Sequence, residues 1–218
     1  MTNYFIKIAK STDELKIIAK CRIKAFPNSF SSKLGLRYVQ KMLSYYITGN
    51  NFLIYLENNG ECLGFVTGMV PDGDFLCSTR EAIDMTYKDI LKELVFKPWL
   101  LFHPVIISNF YLVGELIRNK ISGAAGSESN HTLPLETPPE ILNSVGLIDI
   151  AVAPDHQKNG YGSLLLKSFE EQCNLIGKKR MHLSVKPENI AAIKAYKKNN
   201  WKILAQTDKQ ITFFKNDT

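Results

Sequence analysis

From Tyr4 to Ala9 apolar and polar residues alternate, the two-residue period of a β-strand. Ser11-Thr12-Asp13-Glu14 follows, with an N-cap serine three residues before a glutamate, the signature of a capping box. Leu15, Ile18, Ala19, Arg22, Ile23 and Phe26 then recur at helical spacing until Pro27 stops the run. A second helix is predicted over Ser32 to Ile47, ending near Gly49-Asn50. Asn51 to Glu57 reads as a strand, Asn58-Asn59-Gly60 as a tight turn, and Cys62 to Val70 as the returning strand of a hairpin.

Between residues 71 and 144 this rhythm breaks. Thr79 to Phe96 is helical in pattern, Pro98 restarts the chain, and Trp99 to Lys120 is predicted as another helix. Ile121 to Ile141, with Gly123, Gly126, Pro134, Pro138 and Pro139, reads as a flexible connector. Order then returns with a strand over Val145 to Ala153, a loop over Gln157 to Gly162 and a helix over Ser163 to Leu175. Arg180 to Val185 is a strand, Asn189 to Asn199 a helix, and Trp201 to Gln206 and Ile211 to Lys215 a closing hairpin. This succession predicts one mixed α/β layered domain over 1–218, with a helical insertion at 71–144.

Chemistry concentrates in one loop. Gln157-Lys158-Asn159-Gly160-Tyr161-Gly162-Ser163 joins an apolar strand to a helix whose apolar face holds Leu164, Leu165, Leu166 and Phe169. Gly160 and Gly162 lack the Cβ atoms that would keep a phosphate from the backbone N–H groups. The helix start adds free N–H donors and the positive end of its dipole. Such a strand–loop–helix can cradle a pyrophosphate, although for two glycines alone a plain helix-entry turn is the better account. The spacing matches neither the dinucleotide fingerprint nor the P-loop.

Two blocks together go further. Q-x-x-G-x-G after an apolar strand ending in Val-x-Pro resembles the acetyl-CoA-binding motif of the GCN5-related N-acetyltransferases (GNAT). Downstream, Leu183-Ser184-Val185, Asn189, Ala192, Tyr196 and Trp201 resemble that family's second block in order and spacing. The resemblance covers residues 145–206, and residues 1–70 through the order of elements only. It implies a central twisted, mostly antiparallel sheet flanked by helices, with the insertion between the third and fourth strands. It also implies acetyl-CoA as co-substrate, no metal, and transfer of the acetyl group to a primary amine by direct attack in a ternary complex. Ile150, Ala151 and Val152 would present strand backbone to the acetyl and pantetheine part. Lys158, Asn159, Gly160, Tyr161, Gly162 and Ser163 would wrap the pyrophosphate, and Asn189 would bond the pantetheine arm. Tyr196 would be the general acid on the leaving thiolate. An aromatic on the core face of a helix is the plainer account of Tyr196 taken alone.

Two positions depart from the family pattern. Asn200 replaces the usual glycine before the terminal aromatic, and asparagine tolerates the left-handed turn needed there. Ser184 stands where the family's ribosomal-protein N-terminal acetylases carry a glutamate base. The acceptor expected is therefore a small amine, such as an amino sugar, rather than a protein N-terminus. A non-catalytic acyl-CoA-sensing module is the alternative from another class. An ammonium acceptor must lose a proton before attack, and Asp149, on the strand beside the proposed acetyl site, is the candidate base. Its rivals are His103, His131, His156 and His182; for the last two a structural role is the better reading.

Composition narrows the partners. The chain has 218 residues, 45% hydrophobic and 22% charged, which excludes disordered and collagen-like classes. Its net charge is +6. Residues 145–218 carry 12 basic and 7 acidic side chains, so nearly all of the excess lies there, in the segment expected to meet a phosphate-rich ligand through residues such as Lys158, Lys178, Lys179 and Arg180. The basic residues are dispersed and form no finger or basic-helix pattern, which argues against nucleic acid. Cys21, Cys62, Cys77 and Cys173 are far apart, arguing against zinc, and the N-terminus lacks a secretory layout, so a reduced, cytoplasmic protein is expected. His103, Pro104, Asn109 and Glu115 interrupt the apolar run of the insertion, which disfavours a membrane span. Residues 98–120 are instead expected to pack on the domain, or to form an apolar lid, a peripheral membrane contact or a homodimer surface.

Overall fold

The computed structural model describes residues 4–71, 89–104, 107, 141 and 143–216. The chain begins with β1 (Phe5–Ile8), α1 (Thr12–Ala25), α2 (Phe30–Leu34), α3 (Leu36–Ser44) and a 3-10 turn at Tyr45–Ile47. The hairpin of β2 (Phe52–Asn58) and β3 (Glu61–Met69) follows. Residues 89–96 form α4, and a 3-10 turn spans Pro98–Phe102. Then come β4 (Val145–Val152), a 3-10 turn at Pro154–His156, α5 (Tyr161–Leu175), β5 (Arg180–Val185), α6 (Ile190–Lys198), β6 (Lys202–Gln206) and β7 (Ile211–Asn216). The strands form one seven-stranded sheet in the order β1-β2-β3-β4-β5-β7-β6. Every neighbouring pair is antiparallel except β4–β5.

Both faces of the sheet are covered, which is why the central strands read as continuous apolar runs rather than alternating ones. Leu53 and Tyr55 of β2 and Phe65 of β3 face α1 and α3, with Leu15, Ile18 and Val39. Phe52, Ile54 and Leu56 face the other way, onto Leu165, Leu166 and Phe169 of α5. The expected capping box starts α1: the Glu14 N–H donates to Ser11 Oγ at 3.3 Å and the Ser11 N–H donates to Glu14 Oε2 at 2.9 Å. Tyr55 on the sheet donates to Glu14 Oε1 at 2.9 Å and fixes the start of α1 against β2. Partial burial raises the Glu14 pKa. The hydrogen bonds from Lys10, Ser11 and Tyr55 outweigh it and hold the carboxyl at about 2.

The predicted helix over Ser32 to Ile47 is two helices and a 3-10 turn. The break falls at Gly35, whose φ of +106° no helix accommodates. The carbonyls of Lys33 and Leu34 freed there accept from Lys97 Nζ at 3.3 and 2.8 Å, so the insertion caps α2 with a cation. Lys41 pairs with Asp89, and Leu94 and Leu100 are buried against the same helices. Of the helix predicted over Trp99 to Lys120, the described part opens with the 3-10 turn at Pro98–Phe102. The connector expected at Ile121 to Ile141, apart from Ile141 itself, and most of Thr79 to Phe96 lie outside the described residues.

Candidate active site

Hydrogen bonding between β4 and β5 joins only Val145–Leu147 to Met181–Leu183. Beyond that point β4 bulges. Thr67 of β3 pairs with Asp149 but Gly68 pairs with Leu147, so Ile148 has no partner and is 41% exposed. β5 meanwhile continues along β7, pairing Ser184 with Thr212 and Val185 with Ile211. The two strands separate, and a cavity of about 490 Å³ opens between them. Leu147 to Ile150, Leu183 to Lys186, Glu188, Asn189 and Tyr196 line it. One wall is therefore a strand edge whose N–H and C=O groups are released from the β4–β5 ladder.

The glycine loop lies at the C-terminal end of β4. The Ala153 N–H donates to the Leu63 carbonyl at 2.9 Å, and Gln157 Nε2 donates back to the Val152 carbonyl at 3.2 Å. Lys158 and Gly160 turn the backbone in the left-handed region, with φ of 65° and 81°. α5 begins at Tyr161, two residues earlier than expected, and no side chain caps it. The N–H groups of Tyr161, Gly162 and Ser163 are thus the unpaired donors of a helix N-terminus. Nothing lies within 4 Å of where a Cβ on Gly160 or Gly162 would stand, so a ligand can approach this backbone. The Tyr161 ring points into the core and meets Tyr4 edge-on at 5.5 Å, while Ser163 Oγ accepts from Asn199 Nδ2 at 3.2 Å. The Tyr161 ring is thus engaged in the core, while the Ser163 hydroxyl keeps its own proton to donate. Asn189 caps α6 by accepting from the Ala192 N–H at 3.2 Å, which leaves its Nδ2 for another partner.

Lys178, Lys179 and Arg180 do not join this loop. Arg180 opens β5, and its neighbour Met181 pairs with Val145, the first residue of β4. They lie at the far end of the 15-residue helix α5, ~22 Å from its N-terminus. Of the four basic residues named above, only Lys158 is at the loop.

Tyr196 and Asp149 both line the cavity. Tyr196 packs against Phe213 and Trp201, at centroid distances of 5.5 and 6.4 Å. Its hydroxyl has no hydrogen-bond partner among the described residues. Burial, reinforced by the negative charge of Asp149, raises its pKa to about 12, so at neutral pH the phenol keeps its proton. The Asp149 carboxylate accepts from Arg22 Nε at 2.5 Å, and the same guanidinium donates to Ser31 Oγ at 2.8 Å through Nη1. Burial raises the Asp149 pKa and the Arg22 charge offsets part of the rise. Nothing in the sequence pattern links Arg22 to a residue 127 positions away.

Ser184 accepts from Gln210 Nε2 at 2.9 Å on the β7 side. His182 is buried against Ser144, 2.6 Å from its hydroxyl, and His156 belongs to the 3-10 turn before the loop, so neither lines the cavity. His103 rings against Phe30, and His131 lies outside the described residues. Asn200 has a φ of 64°, the left-handed conformation expected of it. Among the described residues no cluster of three metal-ligating side chains occurs, and no helix is long and apolar enough to cross a membrane.

Two parallel strands part here, and an uncapped helix N-terminus follows the end of β4. The sequence specifies the class: the acetyltransferase (GNAT) family model matches residues 86–201, more than half of the chain. The chain belongs to that family, whose reaction is acyl-CoA-dependent acetyl transfer. No curated protein matches it by sequence. Among solved structures it is similar to an N-acetyltransferase from Staphylococcus aureus Mu50, with a TM-score of 0.58, 13% identity and 98% of each chain covered. A GNAT acetyltransferase from Streptococcus pneumoniae gives a TM-score of 0.55 and 15% identity, over 99% of this chain and 100% of that one. A PaiA N-acetyltransferase from Thermoplasma acidophilum in complex with coenzyme A gives 0.52 and 11%, over 98% and 99%. At such identities the likeness is one of fold.

Proposed function

We propose that this protein acetylates the primary amine of a small molecule, such as an amino sugar, by direct attack on acetyl-CoA while both are bound. What supports the reading most is a proton donor and a proton acceptor on one cavity: the neutral Tyr196 phenol and the Asp149 carboxylate. Bound acetyl-CoA supplies an acyl thioester, activated for transfer without a covalent enzyme intermediate. The main-chain N–H groups of Lys158 to Ser163 fit its pyrophosphate, and Nδ2 of Asn189 fits an amide of its pantetheine arm. The released edge of β4 from Ile150 to Val152 offers N–H donors to the thioester oxygen, where negative charge develops. Asp149 takes the proton from the incoming ammonium, and Tyr196 delivers one to the departing sulfur. Holding both reactants on one strand edge supplies the remainder as positioning.

The protein N-terminus reading lacks its base, because Ser184 is a hydroxyl engaged by Gln210. An acyl-CoA sensor would bind the cofactor and release no thiol. Thiol release from acetyl-CoA across an amine panel separates these readings. Asp149→Asn is expected to lose about 10²-fold or more in turnover at unchanged acetyl-CoA affinity. Full activity of that variant removes Asp149 from the mechanism.

The exposure of Trp99 (64%) and Phe102 (79%) favours an amphipathic acceptor met at a lipid surface. On that reading the purified protein floats with vesicles of mixed zwitterionic and anionic lipid, and Trp99→Ser with Phe102→Ser abolishes flotation. Wild-type protein that stays in the soluble fraction ends it.

A further inference from the structure

Arg22 belongs to neither motif block, yet it is the residue most tightly engaged with the candidate base. Its side chain is 12% exposed and that of Asp149 15%. It bridges three elements: α1, which carries it, α2 through Ser31 Oγ at 2.8 Å, and β4 through Asp149 Oδ2 at 2.5 Å. The Asp149 main chain is held as well, by the neighbouring strand: its N–H donates to Thr67 Oγ1 at 2.9 Å. The carboxylate is thus fixed in position beside the bulge, with one oxygen engaged. A carboxylate in so dry a place would otherwise hold its proton and could not accept another.

Lys186 and Glu188 line the same cavity from the segment after β5, and Arg22 is the charged group that shifts the Asp149 carboxyl. From α1 comes the Arg22 cation. The 3-10 turn after α3 contributes Tyr46, and α6 contributes Tyr196, both neutral phenols whose ionisation the Asp149 charge opposes. β3 and α2 contribute the uncharged hydroxyls of Thr67 and Ser31. Among the described residues the insertion meets this cluster through α2, whose C-terminal carbonyls Lys97 holds.

We propose that Arg22 is a positioning residue for proton removal from the acceptor: anchored by Ser31, it orients the Asp149 carboxylate and keeps it ionised. The inference rests on Asp149 as the base. Burial pushes the carboxyl up and Arg22 pushes it down, so the guanidinium sets the lowest pH at which the base is ready. Loss of Arg22 then leaves Asp149 buried, unpaired and protonated well into the working range.

The test is a titration of the full-length protein with its aspartates carbon-13 labelled at the carboxyl, the Asp149 signal being assigned by its absence in Asp149→Asn. In Arg22→Gln the Asp149 carboxyl is expected to titrate about one to three pH units higher than in wild type. In Arg22→Lys, which keeps the charge and loses the fork, it stays closer to wild type. The acid limb of kcat/KM for an amine of the panel that supports turnover moves with it, while KM for acetyl-CoA holds. Should Arg22→Gln fail to fold, Ser31→Ala frees the guanidinium without removing its charge. It is then expected to lower kcat more than it changes either KM. An Asp149 titration that Arg22→Gln leaves in place, or a kcat that Ser31→Ala leaves in place, overturns the proposal. A titration that moves while Asp149→Asn keeps full turnover overturns instead the base assignment beneath it.

Discussion

The two ends of the β4–β5 pair have the same strands and opposite fates. At the Val145 end the ladder is closed, and the buried polar groups beside it satisfy one another. Ser144 Oγ donates to the Ile141 carbonyl at 2.6 Å, so the His182 Nδ1–H must donate to Ser144. At the Val152 end the ladder is open, the Tyr196 hydroxyl has no partner among the described residues, and an ion pair stands beside the gap. The closed end spends its polar groups on stability. The open end leaves them uncommitted. A sheet thus acquires an open edge by ending one pairing early, without an added element.

The contrast breaks hardest at Tyr196. Tyr196→Phe keeps the ring contacts with Phe213 and Trp201 and deletes only the proton, so turnover should fall about 10²-fold or more. Calorimetry should show acetyl-CoA affinity within about threefold of wild type. Unchanged turnover would return Tyr196 to the core as an ordinary aromatic.

At the closed end acid, rather than turnover, is the probe. Burial lowers His182 to about 4, below its ordinary 6.5. The unfolded chain therefore binds a proton that the folded one refuses. The stability that neutral His182 contributes is complete above about pH 6.5 and drains away as pH falls toward 4, by up to roughly 3 kcal/mol. Urea melts between pH 7 and 4 should show this slope, and His182→Gln should flatten it without moving kcat. Glu14, held at about 2, sheds its own share only below about pH 4.5, outside most of that window.

The smallest effect belongs far from either end. Ser11→Ala removes one cap of α1 and should cost about 1 kcal/mol with no change in turnover. A large fall in activity would mean that α1, which carries Arg22, is held more loosely than its packing suggests.

Local chemistry was legible in the sequence. Ser11 with Glu14, Asn58-Asn59-Gly60, the glycine loop and Asn200 each announce a backbone conformation that their own residue types enforce. Asn59 and Gly60 do adopt left-handed φ values of 48° and 80°. What pattern reading missed is tertiary. Leu34 and Leu36 keep the apolar rhythm running across Gly35, so periodicity alone predicted one helix where two exist. Lys178 to Arg180 are near the loop in sequence but a helix length away in space. Tyr161 sits inside the motif, yet its ring belongs to the core. The Arg22–Asp149 pair spans 127 positions and has no local signature whatever. Side-chain direction and long-range pairing are set by packing, and one sequence carries no direct record of either.

The register of β3 against β4 has a consequence for how such a chain can change. Met69 pairs with Gly146, so the polypeptide leaves the sheet and re-enters it side by side, with residues 70 to 144 connecting two neighbouring strands. Chain entropy charges little for lengthening a closed loop, about 0.6 kcal/mol per doubling. A segment closed at this junction can therefore change in length at small entropic cost, provided that what replaces it still caps α2 as Lys97 does and fills the places of Leu94 and Leu100 in the core.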